Sequence, residues 1–207
     1  MGFRVFRVAA VAALALIAVP ALAQQFSDGY EFLKAIRDSD GAKVNKFLLD
    51  RSLRIVNTKE RGSGEGALHI VARRSDALYL RVLLQADDIN PNLQDARGNT
   101  ALIFAVEQNW SEGVGILIKY RANVNLANSG GETPLIRAVQ MHNVDIVRQL
   151  LDAKANPDRA DYGSGKSARD YARENTRYPA IAKLLADAPK AGATTGAKTG
   201  ATGPGAN

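Results

Sequence analysis

Gly163-Ser164-Gly165-Lys166-Ser167 is the stretch whose residue types and spacing come nearest to a reactive site. Glycines followed by lysine and a hydroxyl can cradle phosphate, because backbone N–H groups and an ammonium converge at a helix start. The full pattern, G-x-x-x-x-G-K-S, needs an earlier glycine at position 160, where the chain has Ala160. No strand-like run precedes it either, so nucleotide chemistry is not expected. Two separated histidines, His69 and His142, no cysteine and scattered carboxylates supply no metal-ligand set. Catalysis needs a nucleophile or base with an orienting partner, and no such pair stands out. The sequence therefore reads as a non-enzyme without cofactor. Trp110, the single tryptophan, is a candidate binding anchor or a packing residue at a helix start.

The elements that would position these groups are clearest in Gly131 to Asp158. Thr133 can cap a helix whose first turn takes Pro134, and Leu135, Ala138 and Val139 fall on one helical face. After a polar break at His142 and Asn143, the residues Val144, Ile146, Val147, Leu150 and Leu151 mark a second helix. A helical hairpin of this size cannot bury both faces alone and needs stacked neighbours. The chain supplies them: Gly66, Thr100, Thr133 and Ser167 recur at steps of 34, 33 and 34 residues. An apolar pair closes each second helix, as Leu48-Leu49, Leu83-Leu84, Leu117-Ile118, Leu150-Leu151 and Leu184-Leu185. The expected fold is all-α, a solenoid of about five helix-turn-helix units joined by hairpin loops.

Thr133-Pro134-Leu135, Gly66-Ala67-Leu68-His69 and Thr100-Ala101-Leu102, with Ala122-Asn123-Val124-Asn125 after a second helix, resemble the ankyrin-repeat signature. The resemblance covers roughly Phe26 to Ala188, with repeats near 27–60, 61–94, 95–127, 128–161 and 162–188. It implies that His69 ties a hairpin loop to a helix start. The first repeat lacks the Thr-Pro-Leu entry, and Lys34, Arg37, Lys43 and Lys46 suit a polar outer cap. The last carries Arg169 and Asp170 where leucine and histidine would stand, as a polar closing cap would. The connection from Arg51 to Gly66 is long and glycine-rich and is expected to be mobile. Gly113 and Gly115 in the third repeat suggest close approach of an adjacent helix.

The flanks carry separate expectations. Residues 1–23 combine Arg4 and Arg7, the apolar run Val8 to Val19 and Pro20-Ala21-Leu22-Ala23, the form of a cleaved signal peptide. The alanine-rich run resembles a Gram-negative signal, so the mature domain, residues 24–188, is expected to be exported to the periplasm, with secretion beyond it open and no stable membrane insertion. Residues 189–207, rich in alanine, glycine, threonine and lysine, are expected to form a disordered tail. The net charge of +6 is misleading: residues 24–189 hold 23 basic and 21 acidic side chains. That balance gives no basic stripe for nucleic acid.

The resemblance implies a protein-protein interaction module, a monomer when unbound, that holds a partner protein on a concave face of loop tips and first helices. By register that face would carry Arg61, Glu65, Arg73 and Arg74, then Arg97, Asn99, Glu107, Gln108 and Trp110. It would continue through Asn128, Glu132, Gln140 and Met141 to Tyr162, Lys166 and Asn175. Exported relatives of this family suggest an inhibitor or immunity role, or support of an enzyme. The alternative is an envelope-associated scaffold acting through the C-terminal tail.

Overall fold

The computed structural model describes residues 28–50 and 52–190. The signal-like segment and nearly all of the tail lie outside them. Ten helices run through the described residues in five antiparallel pairs: α1 (28–37) with α2 (Gly41–Leu49), α3 (Ala67–Arg74) with α4 (Ala77–Leu84), α5 (Ala101–Glu107) with α6 (Ser111–Lys119), α7 (Pro134–Gln140) with α8 (Val144–Asp152), and α9 (Ala168–Glu174) with α10 (Pro179–Asp187). No strand occurs among the described residues. From the second pair onward α3, α5, α7 and α9 pack as an inner layer, and α4, α6, α8 and α10 as an outer one.

Local chemistry starts and stops these short helices. The Thr133 hydroxyl accepts from the Ile136 N–H at 3.2 Å and Pro134 fills the first turn. Thr100 does the same for Ile103 at 3.3 Å, and Ser167 exchanges bonds with Asp170. Each such cap is worth about 1 kcal/mol. Asp40, Asp76 and Asn143 cap second helices in the same way. Between helices the chain turns through left-handed residues at Ser39, Ser75, Asn109 and His142.

The core is the seam between pairs. Leu68, Leu102 and Leu135, at one register position, are buried, as are Leu80, Leu83, Leu117, Ile146 and Leu150. Each fully buried leucine or isoleucine contributes about 1.5–3 kcal/mol. Phe32 and Phe47 meet edge-on at 5.9 Å and tie α1 to α2. The apolar pairs that close the second helices pack as the spacing anticipates, with one exception: Leu49 is 82% exposed.

Two further sets of bonds lock successive units. Side-chain carbonyls of Asn57, Asn92 and Asn125 accept from the backbone N–H groups of Asn90, Asn123 and Asn156. Hairpin tips also join directly, Ala96 N–H to Ser63 O, Ser129 N–H to Arg97 O and Tyr162 N–H to Gly130 O. Gly98, at φ +78°, lies so close to the next tip that a Cβ would come within 2.7 Å of Ser129 N. Gly165 has the same left-handed backbone, but a Cβ there would meet nothing within 4 Å, since no further hairpin packs on it among the described residues.

Residues 52–66 of the connection are more firmly held than their glycines suggest. Ile55 and Val56 within it are buried, and Asn57 bonds across to Asp88 O and Asn90 N. Gly113 and Gly115 also differ in use. A Cβ at Gly113 would lie 2.1 Å from the Trp110 ring of the same hairpin, and only Gly115 faces the next helix, through Gln149 of α8.

Candidate partner-binding face

The inner helices and hairpin tips form one continuous face, and its side chains divide into those held by the scaffold and those turned outward. His69 belongs to the scaffold. Its Nδ1 accepts from the Gly66 N–H at 2.9 Å, so Nε2 carries the proton and donates to Asn99 O at 3.0 Å. Burial lowers its pKa, which keeps the ring neutral. The histidine thus ties the helix start to the next hairpin, as the resemblance implied.

From Asn99 the bonding continues along the face. Asn128 Nδ2 donates to Asn99 Oδ1 at 3.1 Å and to Glu132 Oε2 at 2.8 Å. Arg137 bridges Glu132 at 3.3 Å and Glu107 at 2.5 Å and also reaches Gln140. Glu107, Asn128, Glu132 and Gln140 are therefore half-buried members of one network that spans three repeats.

Three of the expected contact residues are largely taken up by the scaffold. Asn99 is only 6% exposed, with its N–H and amide bonded to Asp95. Arg74 turns back onto the preceding unit. Its guanidinium donates to Ile36 O at 2.7 Å and Arg37 O at 3.2 Å, meets Asp76 at 3.2 Å and lies over the Tyr79 ring. It caps the C-terminal end of α1, where free carbonyls and the helix dipole favour a cation. Trp110 also leans on its own hairpin at Gly113 and stays half-buried.

The others are spread along the hairpin tips and the inner helices. Arg61 and Arg97 stand exposed on successive tips, and Gln108 and Met141 are exposed at the ends of α5 and α7. Tyr162 is 72% exposed, its ring resting against Gly131. Arg73 is exposed, paired with Glu65, and its guanidinium sits 4.8 Å over the Phe104 ring. Lys166 pairs with Glu174 at 2.7 Å and Asn175 donates to His142 Nε2 at 2.7 Å, while the His142 ring stacks on Tyr178.

The glycine-serine-lysine loop is already occupied by the protein's own anion. Ser164 and Gly165 N–H groups both donate to Asp161 Oδ1, at 2.6 and 3.2 Å. The Tyr171 hydroxyl and these donors hold the Asp161 carboxyl below its ordinary range. A phosphate here would have to displace a carboxylate that the loop is folded around.

Arg37, Phe104 and Arg137 were not anticipated on this face. Phe104 and Arg137 share the register position of Ile70 and Tyr171, four residues after each cap, so a charged residue in that otherwise apolar or aromatic column was the signal available. Arg37, which the sequence places in the outer cap, reaches across to Glu60 at the first hairpin. Clefts open at both ends of the face, one of about 410 Å³ between α1 and α3 and one of about 400 Å³ between α7 and α9.

A family model described as ankyrin repeats (3 copies) matches residues 32–128, 68–161 and 117–198. Among curated proteins, the E3 ubiquitin-protein ligase KEG of Arabidopsis thaliana is 32% identical over 73 residues, which is 35% of this chain and 4% of that protein. The chain spans so small a part of that relative that the likeness concerns repeats alone.

Proposed function

Because the chain belongs to the ankyrin-repeat family, we propose that it is an exported binding module that holds a partner protein on its concave face, inhibiting it or supporting an enzyme. The observation that carries this reading is the split of roles along each repeat. Positions that stack, cap or bridge units recur with the same chemistry, whereas the positions seven and eight residues after each cap change from unit to unit, as Arg73-Arg74, Glu107-Gln108, Gln140-Met141 and Glu174-Asn175, and do not serve packing in common. Side chains that the fold does not consume are free to match a partner. The mixture of arginine, amide, Met141 and Tyr162 suits a polar protein surface with a few larger anchors.

Export rests on the sequence of residues 1–23, with its two arginines, apolar run and small-residue site. No helix among the described residues is long and apolar enough to cross a membrane. The test is affinity capture by the tagged mature protein from the source organism's envelope extract, with Arg73→Glu and Tyr162→Ala as controls. The reading expects one stoichiometric protein that both controls lose. A protein retained equally by both would contradict it.

A further inference from the structure

We propose that the cleft between α1 and α3 is an anchor for a carboxylate side chain of the partner, carried on an acidic segment beside an apolar residue. This rests on the reading of the concave face as the binding surface and names what one end of it recognises.

Arg37, Arg73 and Arg74 line the cleft with Glu65 and Ile70. Three guanidinium groups stand at its wall and each already holds one carboxylate: Arg37 meets Glu60, Arg73 meets Glu65 and Arg74 meets Asp76. Each arginine is already aimed. Arg73 is fixed by Glu65 and by the Phe104 ring, and Arg74 is fixed by the end of α1 and by Asp76. Among the described residues Arg73 has Glu65 as its hydrogen-bonding partner, which leaves the rest of its donor fork unused. Arg74 Nε is buried without a partner. A preorganised fork loses little freedom on meeting a planar carboxylate, and the match is bidentate. Ile70 supplies an apolar contact beside it.

The occupant follows from the unused donors and from shape. Glu65 repels a doubly charged group more than a single carboxylate, and the folded region's near balance of 23 basic and 21 acidic side chains offers no basic stripe for nucleic acid. The matching cleft between α7 and α9 is lined by Gln140, His142, Tyr171, Glu174 and Asn175, with no arginine. The same scaffold thus offers cationic forks at one end only.

The test is a titration of the mature protein with an acetylated tetraglutamate peptide, its tetraglutamine counterpart and inorganic phosphate, read by NMR at the arginine Nε–H groups. Saturable shifts at Arg37 and Arg73 with the glutamate peptide alone are expected. Arg73→Gln should weaken the effect about tenfold while the thermal midpoint stays unchanged. No saturable shift, an equal effect of tetraglutamine, tighter binding of phosphate, or shifts centred on Lys166 would overturn the anchor. Should partner capture survive Arg73→Gln and fail with Tyr162→Ala, the concave-face reading stands and the anchor falls. Should it survive both, both fall.

Discussion

The two clefts of the concave face occupy equivalent places in the solenoid and differ in chemistry. Between α1 and α3 the lining is three arginines with Glu65 and Ile70; between α7 and α9 it is amide, imidazole, phenol and carboxylate with Val139. Arg73 and Glu174 stand at the same distance from their helix caps, as do Arg74 and Asn175. Stacking fixes where these side chains are but not what they are, so the face is a row of sites that differ on a frame that does not. A second contrast lies inside one cleft. Arg73 and Arg74 are neighbours in sequence, yet one is turned to solvent and the other holds the previous repeat.

The frame itself gives the largest effects. Leu135→Ala empties a fully buried position between units and should cost about 2–5 kcal/mol in urea unfolding; a loss under about 1 kcal/mol would mean the seam is not where stability resides. At the C-terminal end Arg169 replaces the buried leucine of other repeats. It is 7% exposed, pairs with Asp158 at 2.7 Å and donates to Leu185 O and Ala188 O at the end of α10. Arg169→Ala strands those carbonyls and should cost about 3 kcal/mol, seen as early loss of protection in the last repeat by hydrogen exchange. Uniform protection would assign that arginine no capping role.

Substitution of the neighbouring arginines then separates frame from face. Arg74→Glu removes the cap on α1 and should cost about 1–2 kcal/mol. Arg73→Glu should change stability by less than about 0.5 kcal/mol while abolishing partner capture. Equal loss of stability in both would erase the distinction. Reversing both at once, the experiment the sequence suggests, confounds binding with folding.

Acid offers a gentler probe. Burial holds His69 below its ordinary value of 6.5. The unfolded chain therefore takes up the proton first, and its contribution to stability is full above that value and declines as pH falls through the folded value. The urea midpoint should drop between about pH 7.5 and about pH 5.5, and His69→Gln should flatten that dependence. An unchanged slope in the variant would place the titration elsewhere. Asp161 and Asp170, held below the ordinary 3.8 chiefly by Tyr171 and by Ser167, lose their contributions only in stronger acid.

The period, the caps and the core leucines were legible in the sequence because each depends on neighbours within one repeat. What lay hidden depends on where a long polar side chain turns. Nothing local says that Arg74 bends back to α1, that Asn99 sinks between hairpins, or that Arg37 reaches forward to Glu60, since these choices are made by the preceding or following unit. The 51–66 connection looked free because glycines dominate its end, and Ile55 and Val56, which anchor it, carry no periodic signal in so short a run.

The central claim is that the partner lies on the concave face. The most direct measurement is the affinity of the captured partner for two pairs of surface variants, Arg73→Glu and Tyr162→Ala on that face, and Leu78→Ser and Val82→Ser on the exposed side of α4. The account predicts a loss of about tenfold or more for each of the first pair and unchanged affinity for the second. Retained affinity in the first pair with loss in the second would place the partner on the outer layer and contradict it.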